Sequence, residues 1–201
     1  MSLVLRSLAV ALSLLAFTSL AQAQNVRLRG TIDSVKGDTL VVHTRGGDDA
    51  TVLLKPSTRF AAVVKADLAD IKPGLFVGAA AEPGPDGTLK ALEIHIFPEA
   101  MRGTGEGSRP FDLTPKSSMT NGNISAKVDG VDGPKLTVTY KGGEQTIVID
   151  KTTPIVAMTA GSTDDLKPGA GVIVFTSGKD NAGTYEAAYV VVGRDGVKPP
   201  M

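Results

Sequence analysis

The sequence contains no cysteine and no tryptophan, only three tyrosines and six phenylalanines, and only two histidines among its 201 residues. Without cysteine, disulfides, thiolate nucleophiles and cysteine-ligated metals are excluded. Without tryptophan, and with aromatics at 4%, any core has to be built from Val, Ile, Leu and Ala. Charge of one sign is also missing: 21 basic residues stand against 21 acidic ones. A chain so balanced has no basic face for nucleic acid, and too few aromatics to stack single-stranded bases. Beyond the N-terminus no apolar run is long enough to cross a bilayer.

The first residues read as an export signal. Arg6 supplies a short positive region, Leu8 to Leu20 is apolar apart from Ser and Thr, and Ala21-Gln22-Ala23 is a small-residue cleavage pattern. This predicts a signal peptide over 1–23, cleavage after Ala23, and a periplasmic or secreted mature protein with no transmembrane segment. Loss of Arg6 leaves the mature chain with one more acidic than basic group.

What is present is a repeat. A shift of 96 positions lays Ile32-Asp33-Ser34-Val35-Lys36-Gly37 on Val128-Asp129-Gly130-Val131-Asp132-Gly133, Leu40 on Leu136 and Val42 on Val138. Gly46-Gly47 falls on Gly142-Gly143, and Asp70-Ile71-Lys72-Pro73-Gly74 matches Asp165-Leu166-Lys167-Pro168-Gly169 one residue out of phase. Gly87-Thr88-Leu89-Lys90-Ala91 then meets Gly183-Thr184-Tyr185-Glu186-Ala187. A period this long predicts two copies of one small domain. Leu40 and Val42 alternate with Thr39, Val41 and His43, so a strand should bury the first pair and leave His43 outside. Arg45-Gly46-Gly47-Asp48 and Lys141-Gly142-Gly143-Glu144 read as hairpin turns. Asp67–Ile71 and Thr163–Leu166 read as short capped turns stopped by Pro-Gly.

Short strands and Gly-rich turns, with no convincing amphipathic helix, predict an all-β fold. The expected arrangement is two tandem five- to six-stranded antiparallel barrels, OB-like or SH3-like, over 25–97 and 123–194. An irregular Gly/Pro-containing loop over 98–122 joins them, and 195–201 is a tail. The motifs Asp33-Ser34-Val35-Lys36-Gly37, Asp70-Ile71-Lys72-Pro73-Gly74 and Gly87-Thr88-Leu89-Lys90-Ala91, each repeated, resemble a widespread bacterial exported domain of unknown function. That resemblance implies a small OB-like barrel in tandem and no established activity, so it carries no catalytic residues.

Catalysis is not expected. No Gly-x-Ser-x-Gly elbow occurs, both histidines fall on predicted outer faces, and the carboxylate pairs Asp48-Asp49 and Asp164-Asp165 sit in turns or caps. Gly103-Thr104-Gly105-Glu106-Gly107 lacks phosphate-binding spacing and a following helix, so no nucleotide or other cofactor is expected. The segment 98–122 has no counterpart in either repeat, and reads either as a plain linker or as an ordered, functional loop. Its candidate interaction residues are Glu99, Arg102, Glu106, Arg109, Phe111, Met119 and Asn121. No metal site is assigned; His95, Glu99 and Glu106, with Met101 or Met119, form the weak alternative, against a surface His95 paired with Glu93. The expected function is a non-catalytic envelope binding or interaction protein with an envelope protein or cell-envelope polymer as partner. The alternative is a metal- or small-molecule-binding protein using the inter-repeat segment and the cleft between the barrels.

Overall fold

The structure is a computed structural model that describes residues 26–131, 133–180 and 182–199; the expected leader lies outside them. It is all-β, with β1 (Arg27–Lys36), β2 (Thr39–Thr44), β3 (Asp49–Lys65), β4 (Phe76–Pro83), β5 (Leu89–Ile96) and β6 (Gly107–Pro110). These are followed by β7 (Ser118–Val128), β8 (Lys135–Tyr140), β9 (Gly143–Val148), β10 (Ile155–Ala160), β11 (Gly171–Lys179) and β12 (Tyr185–Gly193). No helix among the described residues is long and apolar enough to cross a membrane.

Alternation works as the sequence reading requires. Leu40 and Val42 are fully buried, as are Leu136 and Val138, while His43 points outward with its side chain 60% exposed. Both Gly-Gly hairpins form, and both capped turns carry the same reciprocal bond. Asp67 N–H donates to the Asp70 carboxylate, and Ser162 N–H to that of Asp165.

The closure of the barrels differs from the expectation. β1 pairs β2 and β2 pairs β3, but the ring is completed by β12, parallel to β3, and by β11, which joins β12 to β1. In the second ring β7, β8 and β9 are completed by β5, parallel to β9, and by β4, which joins β5 to β7. Each ring therefore takes three strands from one half of the chain and two from the other. The cause is the length of β3. Lys55–Thr58 make a bulge at Pro56, where Thr58 Oγ1 accepts from Lys55 N and donates to Ala187 O, and the strand continues to Lys65. Its far end pairs antiparallel with β10, with Val63 opposite Met158, and carries the chain across to the other ring.

The Pro-Gly corners seal this exchange. Gly74 N–H donates to Ile124 O and Gly169 N–H to Ile32 O, each at 2.8 Å. Both glycines have positive φ, which a side chain would strain. Ile32 and Ile124 are thus counterparts, an offset of 92, and each precedes a bulge against its neighbour. Laying Ile32 on Val128 by a uniform shift of 96 is four residues out. The first hairpin closes at Lys36 and Thr39, the second at Val128 and Lys135, so the extra turn residues absorb the difference.

Three apolar clusters follow. One fills the first ring, with Ile32, Leu40, Val52, Val174 and Val190. A second fills the other ring, with Ile71, Val77, Ile94, Leu136 and Ile147. A third, including Val63, Phe76, Val156, Ile173 and Val191, lies between their outer faces.

Candidate functional site

Residues 98–117 form a packed strap, while 118–122 of the expected loop belong to β7. Pro98 leads into a single 3-10 turn at Glu99–Met101, and β6 pairs with the first residues of β7. Arg102 binds Glu99 at 2.6 Å, the Gly74 carbonyl at 3.0 Å, and the Asn123 side chain. The Asn121 amide donates to Thr104 O at 2.9 Å, and Thr114 bonds Glu82. At its far end Asp112 takes Arg29 at 2.7 Å and Arg27 at 2.9 Å, tying the strap to β1 of the other ring.

The Arg29 hydrogen bond, helped by Arg27, holds the Asp112 carboxyl below its ordinary value of 3.8 despite partial burial. A carboxylate with a depressed folded value adds stability above its unfolded value and loses it as pH falls through the folded one. The Phe111 ring resonances should therefore stay constant from neutral pH to about 4 and move only below that. Asp112→Asn should abolish the transition. A midpoint at or above 3.8 in the wild-type protein would contradict the assignment.

Beneath the strap lies a cleft of about 900 Å³ between the outer faces of the two rings. One wall is a row of successive register partners across four strands: Arg27 on β1, Phe175 on β11, Tyr189 on β12 and Arg59 on β3. The Arg27 guanidinium lies 5.0 Å from the Phe175 ring centre and 5.4 Å from that of Phe111, while Arg59 lies 5.5 Å from that of Tyr189. Phe175 and Tyr189 are themselves 5.7 Å apart. Such alternation of guanidinium and ring is favourable because the aromatic face is electron-rich. Burial pushes the Tyr189 hydroxyl above its ordinary value, with Arg59 opposing.

The opposite wall comes from the second ring and the strap, with Phe97, Met119, Met101 and Arg109; Met158 on β10 also lines the cleft. Its floor is polar. Asn121, Gly78 and His95 are register partners across β7, β4 and β5. A Cβ at Gly78 would stand 2.8 Å from Asn121 Oδ1 and 2.9 Å from the Phe97 ring, so only glycine allows these side chains to converge. His95 is fully buried and Glu93 is 2% exposed. Nε2 of His95 lies 3.0 Å from Glu93 Oε1, whereas Nδ1 has no partner. Asn121 Oδ1, at 4% residue exposure, is also unpartnered. An imidazole that carries its one proton on Nε2, directed at Glu93, accepts at Nδ1, as the Asn121 oxygen does.

The sequence places His95 on an exposed face; the structure corrects this. Alternation does turn it out of its own ring, but that outer face is covered by the strap and by the other ring. Of the candidate residues, Arg109, Phe111, Met119 and Asn121 meet at the cleft. Glu99 and Arg102 are spent on each other outside it, and Glu106 accepts from Lys141 N. Among the described residues no group of three or more His, Asp or Glu is placed to hold a metal. Arg27, Arg59, Phe175 and Tyr189 escaped the sequence reading, because only strand register brings them into one row.

Strands β1 to β5 are one continuous stretch of chain, divided between the two rings. Residues 29–95 match a domain of unknown function, DUF5666. The DUF5666 stretch includes Arg29, Arg59 and His95 but none of the strap, so the cleft combines DUF5666 residues with residues outside the match. No curated protein and no solved structure matches the chain.

Proposed function

We propose that this is an exported, non-catalytic binding protein that holds a small amphipathic molecule in the cleft between its rings. The observation that carries the proposal is the pair of buried, unpartnered atoms, His95 Nδ1 and Asn121 Oδ1, on the floor of the cleft. Leaving a buried polar atom unpaired costs about 1–3 kcal/mol, and a ligand donor would recover that cost. A cleft of this size with few convergent polar groups is the usual form of a small-molecule site. Between the two functions expected from sequence, these features favour the small-molecule one over an envelope protein or polymer. The export signal supports a location in the periplasm or outside the cell.

We further read the two halves as copies of one domain that have exchanged their last two strands. The offsets of 92 at Ile32/Ile124 and 96 at Leu40/Leu136, the matching bulges and the reciprocal Pro-Gly corners support this.

Ala160→Trp tests the binding reading. Ala160 is exposed at the cleft and lies on β10 opposite Ala61, so an indole there should fill the cleft with the rings intact. Protein isolated from an exporting host should release a bound small molecule on organic extraction, and the variant should release less than about a tenth of it, the loss that accompanies about 1.4 kcal/mol under subsaturating conditions. Equal recovery from both proteins would sink the proposal.

A further inference from the structure

The cleft's charge is one-sided. Arg27, Arg59 and Arg109 line it, and no carboxylate does. Asp112 engages Arg27 and Arg29 together, while neither Arg59 nor Arg109 has an ion pair among the described residues. Arg109 gives one guanidinium nitrogen to Gly105 O and stands close enough to Arg27 to repel it. Guanidinium groups lacking a carboxylate present several aligned donors to an incoming anion.

The surface between these charges is aromatic, its two rings tilted 35° to each other. Phe175 and Tyr189 form the centre of one wall, bracketed by Arg27 and Arg59, and share the cleft with Met101, Met119 and Met158. Aromatic rings favour stacking or edge contacts with planar partners, and methionine side chains adapt to a ring lying against them. The unpartnered atoms of the floor are His95 Nδ1 and Asn121 Oδ1, which call for an N–H or O–H on the occupant. Planarity, negative charge and a donor are thus requested by three separate groups of residues.

We propose, building on the small-molecule reading above, that the occupant is a planar aromatic anion carrying a hydrogen-bond donor. Its ring lies along the Phe175–Tyr189 wall, its anionic group meets one of the unpaired guanidiniums, Arg59 or Arg109, and its donor reaches the His95–Asn121 floor. The adaptable Met119 and Met158 side chains give way to admit it.

Two fluorescent probes separate the charge from the ring system. 8-Anilinonaphthalene-1-sulfonate and N-phenyl-1-naphthylamine share the same rings and N–H, but only the first is an anion. Titrated against the protein expressed from its full sequence, the sulfonate should bind at one site per chain and about tenfold or more tighter than the amine, as expected for one charge-assisted contact. Of Arg59→Gln and Arg109→Gln, the one that removes this contact should weaken the sulfonate by about tenfold while leaving the amine unchanged. Decanoate, an anion without a ring, should compete at least about tenfold less well than naphthalene-2-carboxylate, as loss of the aromatic contacts implies. Equal affinity for the two probes, or no response to either arginine change, overturns the anion assignment while cleft binding stands. Decanoate competing as well as the naphthoate overturns the aromatic assignment. If neither probe binds and Ala160→Trp changes nothing, the cleft reading itself fails. Circular dichroism of the arginine variants confirms that they remain folded, since both side chains lie at the cleft surface rather than in an apolar cluster.

Discussion

Residues 25–97 expressed alone will not give a folded monomer; they will pair into a dimer. In the intact chain β1 and β3 are joined around the ring by β11 and β12, which the fragment lacks. Val172, Val174, Val190 and Val192, all essentially buried inside the first ring, are lost with them. At about 1.5–3 kcal/mol for each buried apolar side chain, the deficit rivals the whole stability of a small domain, about 5–15 kcal/mol. β4 and β5 would stand meanwhile with their inner faces in water. A second copy of the fragment can satisfy both needs, because β4 and β5 of each occupy the place of β11 and β12 in the other. Light scattering should report twice the fragment mass, with a β-type circular dichroism spectrum at that mass. A stable monomer would show that the long β3 can fold back on itself, and that its length does not impose the exchange.

The second large effect is steric. Gly30→Ala and Gly122→Ala should each destabilise by more than about 3 kcal/mol and abolish soluble folded protein in combination. A Cβ at Gly30 would lie 2.0 Å from the His43 carbonyl oxygen, and one at Gly122 would lie 2.4 Å from that of Thr139. Both targets are backbone atoms of the paired strand, so nothing can rotate away. Neither glycine needs its conformational freedom: both have strand backbone and negative φ. Gly47→Ala is the contrasting case, with φ of 92° but open space around it, and should cost only about 1 kcal/mol. Urea unfolding of the three single variants orders them. If Gly47→Ala proves the most damaging, close strand approach is not what these glycines serve.

Local features were legible in the sequence because their causes are local. The alternation around Leu40, the Gly-Gly hairpins and the Pro-Gly corners each rest on a few neighbouring residues, and each is found where it was expected. Which strands close a ring depends on pairs such as Arg27 and Phe175, far apart in the chain, and no period reports them. The same limit misplaced His95. Its alternation is right, yet the second layer that covers it comes from the strap and the opposite ring. The uniform shift of 96 does not align the bulges after Ile32 and Ile124, because the second hairpin is longer and hides the slip upstream of it. Within the candidate site, Met119 and Asn121 were recognised as unusual for a spacer, whereas the arginine–aromatic row had no signature of its own.

The exchange of strands also sets an order in time. The second ring has all its strands once β9 has emerged, but the first ring must wait for β12, because β1 finds a partner only in β11 and β3 only in β12 on that side. Contacts spanning most of a chain form slowly, since a long loop has to close before they contribute. Strands β1 to β3 accordingly remain an open, unsatisfied edge until synthesis is nearly complete. For a chain exported as proposed, that delay keeps the first ring open while the chain crosses the membrane, and this ring locks only after its last strand has arrived.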